Sequence, residues 1–231
     1  MATMPGLEFI AGDTVANKDV AIPIVFPDYH IQVDTPEFGF NVPDLLPRVN
    51  VLPARLSIPA SRQRVPYLGH AGILFIDGGS GSTRYFEYGR YDGAGVGAVK
   101  RRHIAEVKLS KTGRPTRTSM LQSLKDISAL SGQMGRISAA YIELDAGAFG
   151  KMDLYARIRE SQNKTTGRTP YSLWTNSCLH FMKATAEAGG ASMPPVVAPQ
   201  PAGYIVEVRL LHPDLDYRFS QSLSIEGVPL E

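Results

Sequence analysis

Cys178 is the only cysteine among 231 residues, so the chain can form neither an intrachain disulfide nor a cysteine-based zinc site. A lone thiol is often a small buried hydrophobe, so its setting decides what it can do. Thr175-Asn176-Ser177 precede it, and Leu179, Phe181 and Met182 follow at apolar helix spacing. A helix capped by Thr175 or Asn176 places Cys178 in the first turn. Free backbone N–H groups and the positive end of the helix dipole favour thiolate there. The same N–H groups can hold the oxyanion that develops during acyl transfer.

A thiol nucleophile needs an imidazole within hydrogen-bond reach. Of five histidines, His30, His103 and His212 have no pattern around them, and His180 lies two residues from Cys178 on a different helix face. His70 opens an apolar run of strand length, His70 to Ile76. Gly72 carries no side chain and leaves room beside the imidazole for a substrate or a helix. A third polar group should orient the ring. Asp77 to Ser82 is a turn cluster, and Thr83 to Tyr91 reads as the returning strand of a hairpin. Either position 87 or position 88 then faces the imidazole, depending on register. Glu87 offers a carboxylate; Tyr88 competes, and Tyr85 more weakly. Trp174 and Asn176, beside the cysteine, together with Tyr88, are the candidate substrate-binding residues.

The remaining elements must bring these segments together. Residues 1–66 are proline-rich and read as an N-terminal arm, with one short strand at Val20 to Phe26; residues 67–231 read as the catalytic domain. Further strands are expected at Ile104 to Leu109, Arg136 to Leu144 and Tyr204 to Leu211. Helices are expected over Ser119 to Gln133, capped by Thr118 or Ser119, over Phe149 to Gln162 with Met152, Tyr155 and Ile158 on one face, and over Cys178 to Ala188, closed by Gly189-Gly190. Helices and mostly antiparallel strands in separate runs predict an α+β fold. In it His70 to Ile76, Thr83 to Tyr91 and Tyr204 to Leu211 share one antiparallel sheet packed against the cysteine-bearing helix.

Composition adds exclusions. With 24 basic and 22 acidic side chains the net charge is +2, which argues for neither nucleic acid nor a membrane surface as partner. No apolar run approaches the ~20 residues of a membrane span. The first residues lack the pattern of a secretory signal, so the chain is expected to be made in the cytoplasm and to leave it only by a signal-independent route. Gly93 to Ala98 lacks the spacing of a dinucleotide loop, Gly78 to Ser82 lacks that of a serine-hydrolase elbow, and Lys100 to His103 reads as a solvated face. No His/Asp/Glu cluster has metal-ligand spacing, and a thiol hydrolase needs no cofactor.

Gly69-His70-Ala71-Gly72-Ile73-Leu74 and Asn176-Ser177-Cys178-Leu179-His180-Phe181 resemble the two motifs of the permuted NlpC-type papain-like superfamily, the branch that includes lecithin retinol acyltransferase-like proteins. There the histidine strand precedes the cysteine helix. The resemblance spans about residues 67–190 and implies a permuted papain-like fold and a cysteine hydrolase. Ser177 separates Asn176 from Cys178, and the acyltransferases' second histidine has no counterpart in Thr83 to Tyr91, which favours a bacterial-type amidase. It implies cleavage of peptide bonds in bacterial peptidoglycan. Signal-less effectors of the type VI secretion system are similar to this superfamily, which implies an immunity protein as partner and action in a target periplasm. The alternatives are a thioesterase or acyltransferase acting on lipids, and a non-catalytic binding domain with a buried, inert Cys178.

Overall fold

The computed structural model describes residues 17–33, 38–41, 55–58, 63–65, 69–91, 96–218, 223–225 and 227–231. In chain order the strands are β1 (Asp19–Phe26), β2 (Ile31–Val33), β3 (Phe38–Asn41), β4 (Arg55–Ile58), β5 (Gln63–Val65), β6 (His70–Ile76), β7 (Thr83–Gly89) and β8 (Ala98–Arg102). Helix α1 (Arg117–Ser131) leads to β9 (Ile137–Ala140) and β10 (Ile142–Leu144). Then come α2 (Ala148–Ser161), a 3₁₀ turn (Gln162–Lys164), α3 (Cys178–Ala188), α4 (Pro201–Arg209), β11 (Asp214–Tyr217) and β12 (Ser224–Ile225).

One antiparallel sheet runs in the order β12-β11-β9-β1-β6-β7-β8, and β10 also pairs with β1. Every side chain of β1 and β6 is buried, because both faces of the sheet are covered. Ala71, Ile73, Phe75, Phe86 and Tyr88 pack with apolar residues of α2, α3 and α4 on one face. Leu74, Ile76 and Tyr85 pack with Met120, Leu124 and Ile127 of α1 on the other. The fold is therefore α+β, with an antiparallel sheet between helices.

β1 alters the expected domain boundary. It lies between β6 and β9, well inside the sheet, so the strand at Val20 to Phe26 belongs to the domain and residue 66 does not divide it from an arm. Most of the proline-rich stretch on which that arm was read lies outside the described residues. Pro23 sits in this central strand because of a break in the neighbouring edge. Ala21 opposes Ile142 in β10 and Ile24 opposes Ala139 in β9, and at the step between them the Tyr141 N–H donates to the Pro213 carbonyl instead. A residue without an N–H fits where the ladder changes partner. The same break divides the single strand expected over Arg136 to Leu144.

Three other expectations are corrected. Tyr204 to Leu211 belongs mainly to helix α4. Pro201 occupies its first turn, where a missing N–H costs nothing, and Tyr204, Ile205 and Val208 form one buried face. The alternation of Tyr204, Val206 and Val208 fits a strand equally well over so short a run, but Val206 is exposed. The strand expected at Ile104 to Leu109 lies earlier, at β8, and Leu109 forms only an isolated bridge to Pro115. Helix α1 starts after Thr116 and α3 after Ser177, not after the caps read from sequence.

Candidate active site

The site lies where the β6–β7 ladder ends. Its last pair is Gly72 with Glu87; beyond it the strands part, and the start of α3 packs against both. Ser177 caps α3 and His180 closes a capping box: the Ser177 N–H donates to His180 Nδ1 at 3.4 Å, and the two side chains lie 2.9 Å apart at Ser177 Oγ and His180 Nδ1. This use of His180 is structural, and it makes Cys178 the first helical residue. The thiol is 5% exposed. It lies against the His70 imidazole, the backbone N–H of Ala71 and the hydroxyl of Tyr171, which donates to Sγ at 3.8 Å.

Pairing in β6 and β7 puts Glu87 on the same sheet face as His70, since paired residues share a face and alternate residues return to it. His70 Nε2 lies 3.0 Å from Glu87 Oε2, and Glu87 is 1% exposed. The other carboxylate oxygen, Oε1, accepts from Arg102 Nε at 2.7 Å. The Tyr91 hydroxyl also reaches His70 Nε2, at 2.9 Å. With Nε2 so engaged, Nδ1 is the nitrogen left to face the thiol. Phe26 stacks on the imidazole and Tyr29 tilts over it, with ring centroids at 6.0 and 5.1 Å.

These contacts set the charges. Burial disfavours the imidazolium, but hydrogen bonding and charge from Cys178 and Glu87 outweigh it and push His70 up to about 9. Burial would raise the Cys178 thiol, yet His70, Tyr171 and the Ala71 N–H together hold it below its ordinary value. Burial likewise opposes ionisation of Glu87, and its two cationic neighbours hold it ionised all the same. The arrangement therefore favours a thiolate–imidazolium pair backed by a carboxylate.

Tyr88 points to the opposite face. It stacks on Tyr171 at 5.5 Å, and its hydroxyl accepts from Asn176 Nδ2 at 3.0 Å. Asn176 also donates to the carbonyls of Thr169 and Pro170, each at 3.0 Å, so it ties down the loop before the cysteine. Trp174 is 57% exposed at the tip of a tight loop closed by paired backbone bonds between Ser172 and Asn176. The space at Gly72 is filled by Tyr85: an added Cβ would stand 2.3 Å from its hydroxyl. It is open to neither substrate nor helix, because the large ring needs that gap.

Arg102, Tyr91 and Tyr171 were not singled out from sequence. The Lys100 to His103 run, read as a solvated face, contains Arg102, which the β7–β8 register places opposite Tyr85 and diagonal to Glu87. Tyr91 continues the alternation of Glu87 and Gly89, and the bare Gly89 backbone makes room for its ring. Among the described residues there is no group of side chains fit to hold a metal ion and no helix long and apolar enough to cross a membrane.

A family model described as type VI secretion system effector TseH-like matches residues 21–192, from β1 through the end of α3. No curated protein matches the chain. The crystal structure of the type VI secretion system effector TseH is similar, with a TM-score of 0.69 and 32% sequence identity over 91% of this chain and 99% of that one. On the extent of these two matches, the chain belongs to the TseH-like family of type VI secretion system effectors.

Proposed function

We propose that this effector is a permuted papain-like cysteine hydrolase that cleaves amide bonds in the peptides of bacterial peptidoglycan. The observation that carries the reading is the buried chain of contacts from Cys178 through His70 to Glu87 and Arg102. A structural thiol needs no such chain. A buried carboxylate between two cations is costly to assemble unless the imidazolium it stabilises has work to do.

In the proposed reaction the Cys178 thiolate attacks the scissile carbonyl carbon. The N–H groups of Cys178 and Leu179, which have no acceptor within the helix, face the developing oxyanion. The His70 imidazolium gives its proton to the leaving amine, and an acyl-enzyme remains. Neutral His70 then takes a proton from water, hydroxide adds to the thioester, and the acid leaves as thiolate re-forms. Glu87 keeps the ring in the tautomer whose Nδ1 serves the sulfur and stabilises its charge. Such an effector acts in the periplasm of a target cell, and the producer is protected by an immunity protein that covers the site.

The test is incubation of peptidoglycan with wild-type protein and with Cys178→Ala, followed by chromatographic separation of fragments. New peptide fragments with free amines, from wild type only, are expected. Turnover of acyl esters without any effect on peptidoglycan would move the substrate to lipids, and no turnover of either between pH 6 and 9 would remove the hydrolase reading.

A further inference from the structure

We propose that a cleft beside the cysteine loop is a subsite for a carboxylate of the substrate, with Arg159 as its anchor. The proposal rests on the hydrolase reading for the identity of the acidic ligand, a peptide. The cleft is lined by Tyr88, Arg159, Arg168, Thr169, Thr175 and Asn176, among others. Among the described residues lining it none is acidic and two are arginines, a composition that favours an anionic ligand.

Arg159 differs from three other half-buried arginines. Arg84, Arg102 and Arg209 each hold a carboxylate, from Glu106, from Glu87, and from Asp214 with Asp216. Arg159 bonds only neutral oxygens among the described residues: its NH1 donates to the Tyr155 hydroxyl at 3.2 Å and its NH2 to Asn176 Oδ1 at 3.3 Å. Its guanidinium lies over the rings of Tyr88 and Phe181, 5.5 and 5.9 Å from their centroids. Aromatic faces hold the flat group in place without neutralising it. A fixed, half-buried cation with no carboxylate partner among the described residues is suited to an anion that arrives with a ligand, and guanidinium geometry suits a carboxylate.

The cleft is near enough to the thiol to read the same substrate. Tyr88, in its wall, stacks on Tyr171, whose hydroxyl touches Cys178 Sγ. From Sγ the links run 3.8 Å to the Tyr171 hydroxyl, 5.5 Å between the two rings and 5.5 Å on to the Arg159 guanidinium, a path that a few extended residues at ~3.5 Å each can cover. A peptide whose scissile carbonyl sits at Cys178 can thus place a carboxylate a few residues away against Arg159. The subsite selects acidic peptides over amidated ones.

The experiment measures binding by calorimetry to full-length Cys178→Ala, so that nothing is turned over. The probes are a peptidoglycan stem tetrapeptide with free carboxylates and the same peptide with every carboxylate amidated. The acidic form should bind roughly ten-fold more tightly, as one charge-assisted pair implies, and the difference should shrink with added salt. In an Arg159→Gln background the preference should vanish while affinity for the amidated peptide stays the same; Arg159→Lys should retain part of it. Equal affinity for the two peptides, no binding of either, or an undiminished preference in Arg159→Gln would overturn the subsite. Should Arg159→Gln not fold, Arg159→Lys and the peptide pair still decide. Selective binding by a protein whose wild type cleaves nothing would sink the hydrolase reading and leave the subsite, whereas equal cleavage of both peptides would do the reverse.

Discussion

Glu87→Gln isolates the charge behind the imidazole. The side chains are nearly isosteric, and a Gln carbonyl can still accept the Nε2–H of His70, so packing and one hydrogen bond survive. What disappears is a negative charge 3.0 Å from His70 Nε2 and 2.7 Å from Arg102 Nε, at a site 1% exposed. Solvent cannot screen a change buried so deeply. A hydrogen bond to a charged group contributes about 1.5–3 kcal/mol, and the retained acceptor puts the loss near the lower end. At about 1.36 kcal/mol per pKa unit, the imidazolium should be weakened by about one unit. His70 holds its proton up to about 9 in the wild type, so its titration should move down towards neutrality. The Cys178 thiol, held low chiefly by His70, should move up. In the proposed mechanism thiolate–imidazolium is the reacting form, so the pH window for reaction narrows from both sides and kcat/KM near neutrality falls by up to about ten-fold. Two assays need no knowledge of the substrate: the pH dependence of Cys178 alkylation by iodoacetamide for the acidic limb, and NMR titration of the His70 ring for the alkaline one. If Glu87→Gln alkylates with the wild-type pH profile and its imidazole still titrates near 9, the carboxylate does not support the pair and the reasoning fails.

Arg102→Gln should shift the same alkylation profile in the same direction but by less, because Arg102 acts through Glu87 and is itself 30% exposed to screening solvent; a shift as large as that of Glu87→Gln would show that the arginine acts on the site directly. Gly72→Ala forces a methyl group to 2.3 Å from the Tyr85 hydroxyl and should cost about 1–3 kcal/mol of overpacking, read as a lower urea midpoint at unchanged slope. Glu87 also links stability to acid. Its folded pKa lies below the ordinary 4.5, so it contributes stability that is present above that value and lost as pH falls through the folded one. Urea midpoints of wild type and Glu87→Gln should therefore converge as pH drops below about 4.5, and parallel curves would disprove the linkage.

Where residue type and short-range pattern were decisive, the sequence alone sufficed. The cysteine is single, the run from His70 to Ile76 is apolar and strand-length, and the apolar spacing after Cys178 fits a helix. The turn cluster at Asp77 to Ser82 closes the hairpin, so α+β architecture and the segments that carry the site could be read directly. Other features depend on what packs against what. Tyr204 to Leu211 supports two periods equally well, and only burial of Tyr204, Ile205 and Val208 together selects the helix. The place of β1 in the sheet is set by pairing with β6, β9 and β10, about 50 to 120 residues away in sequence. Register is of the same kind. A slip of one residue would exchange Glu87 for Tyr88 beside His70, since successive strand residues point to opposite faces, and the composition of the hairpin is compatible with either. The choice is made where the aromatic Tyr88 finds Tyr171 and Phe181 on the α3 face, while Glu87 finds His70 and Arg102 on the other. Pairing a buried charge takes partners from three strands at once, and no local pattern in one strand encodes the other two.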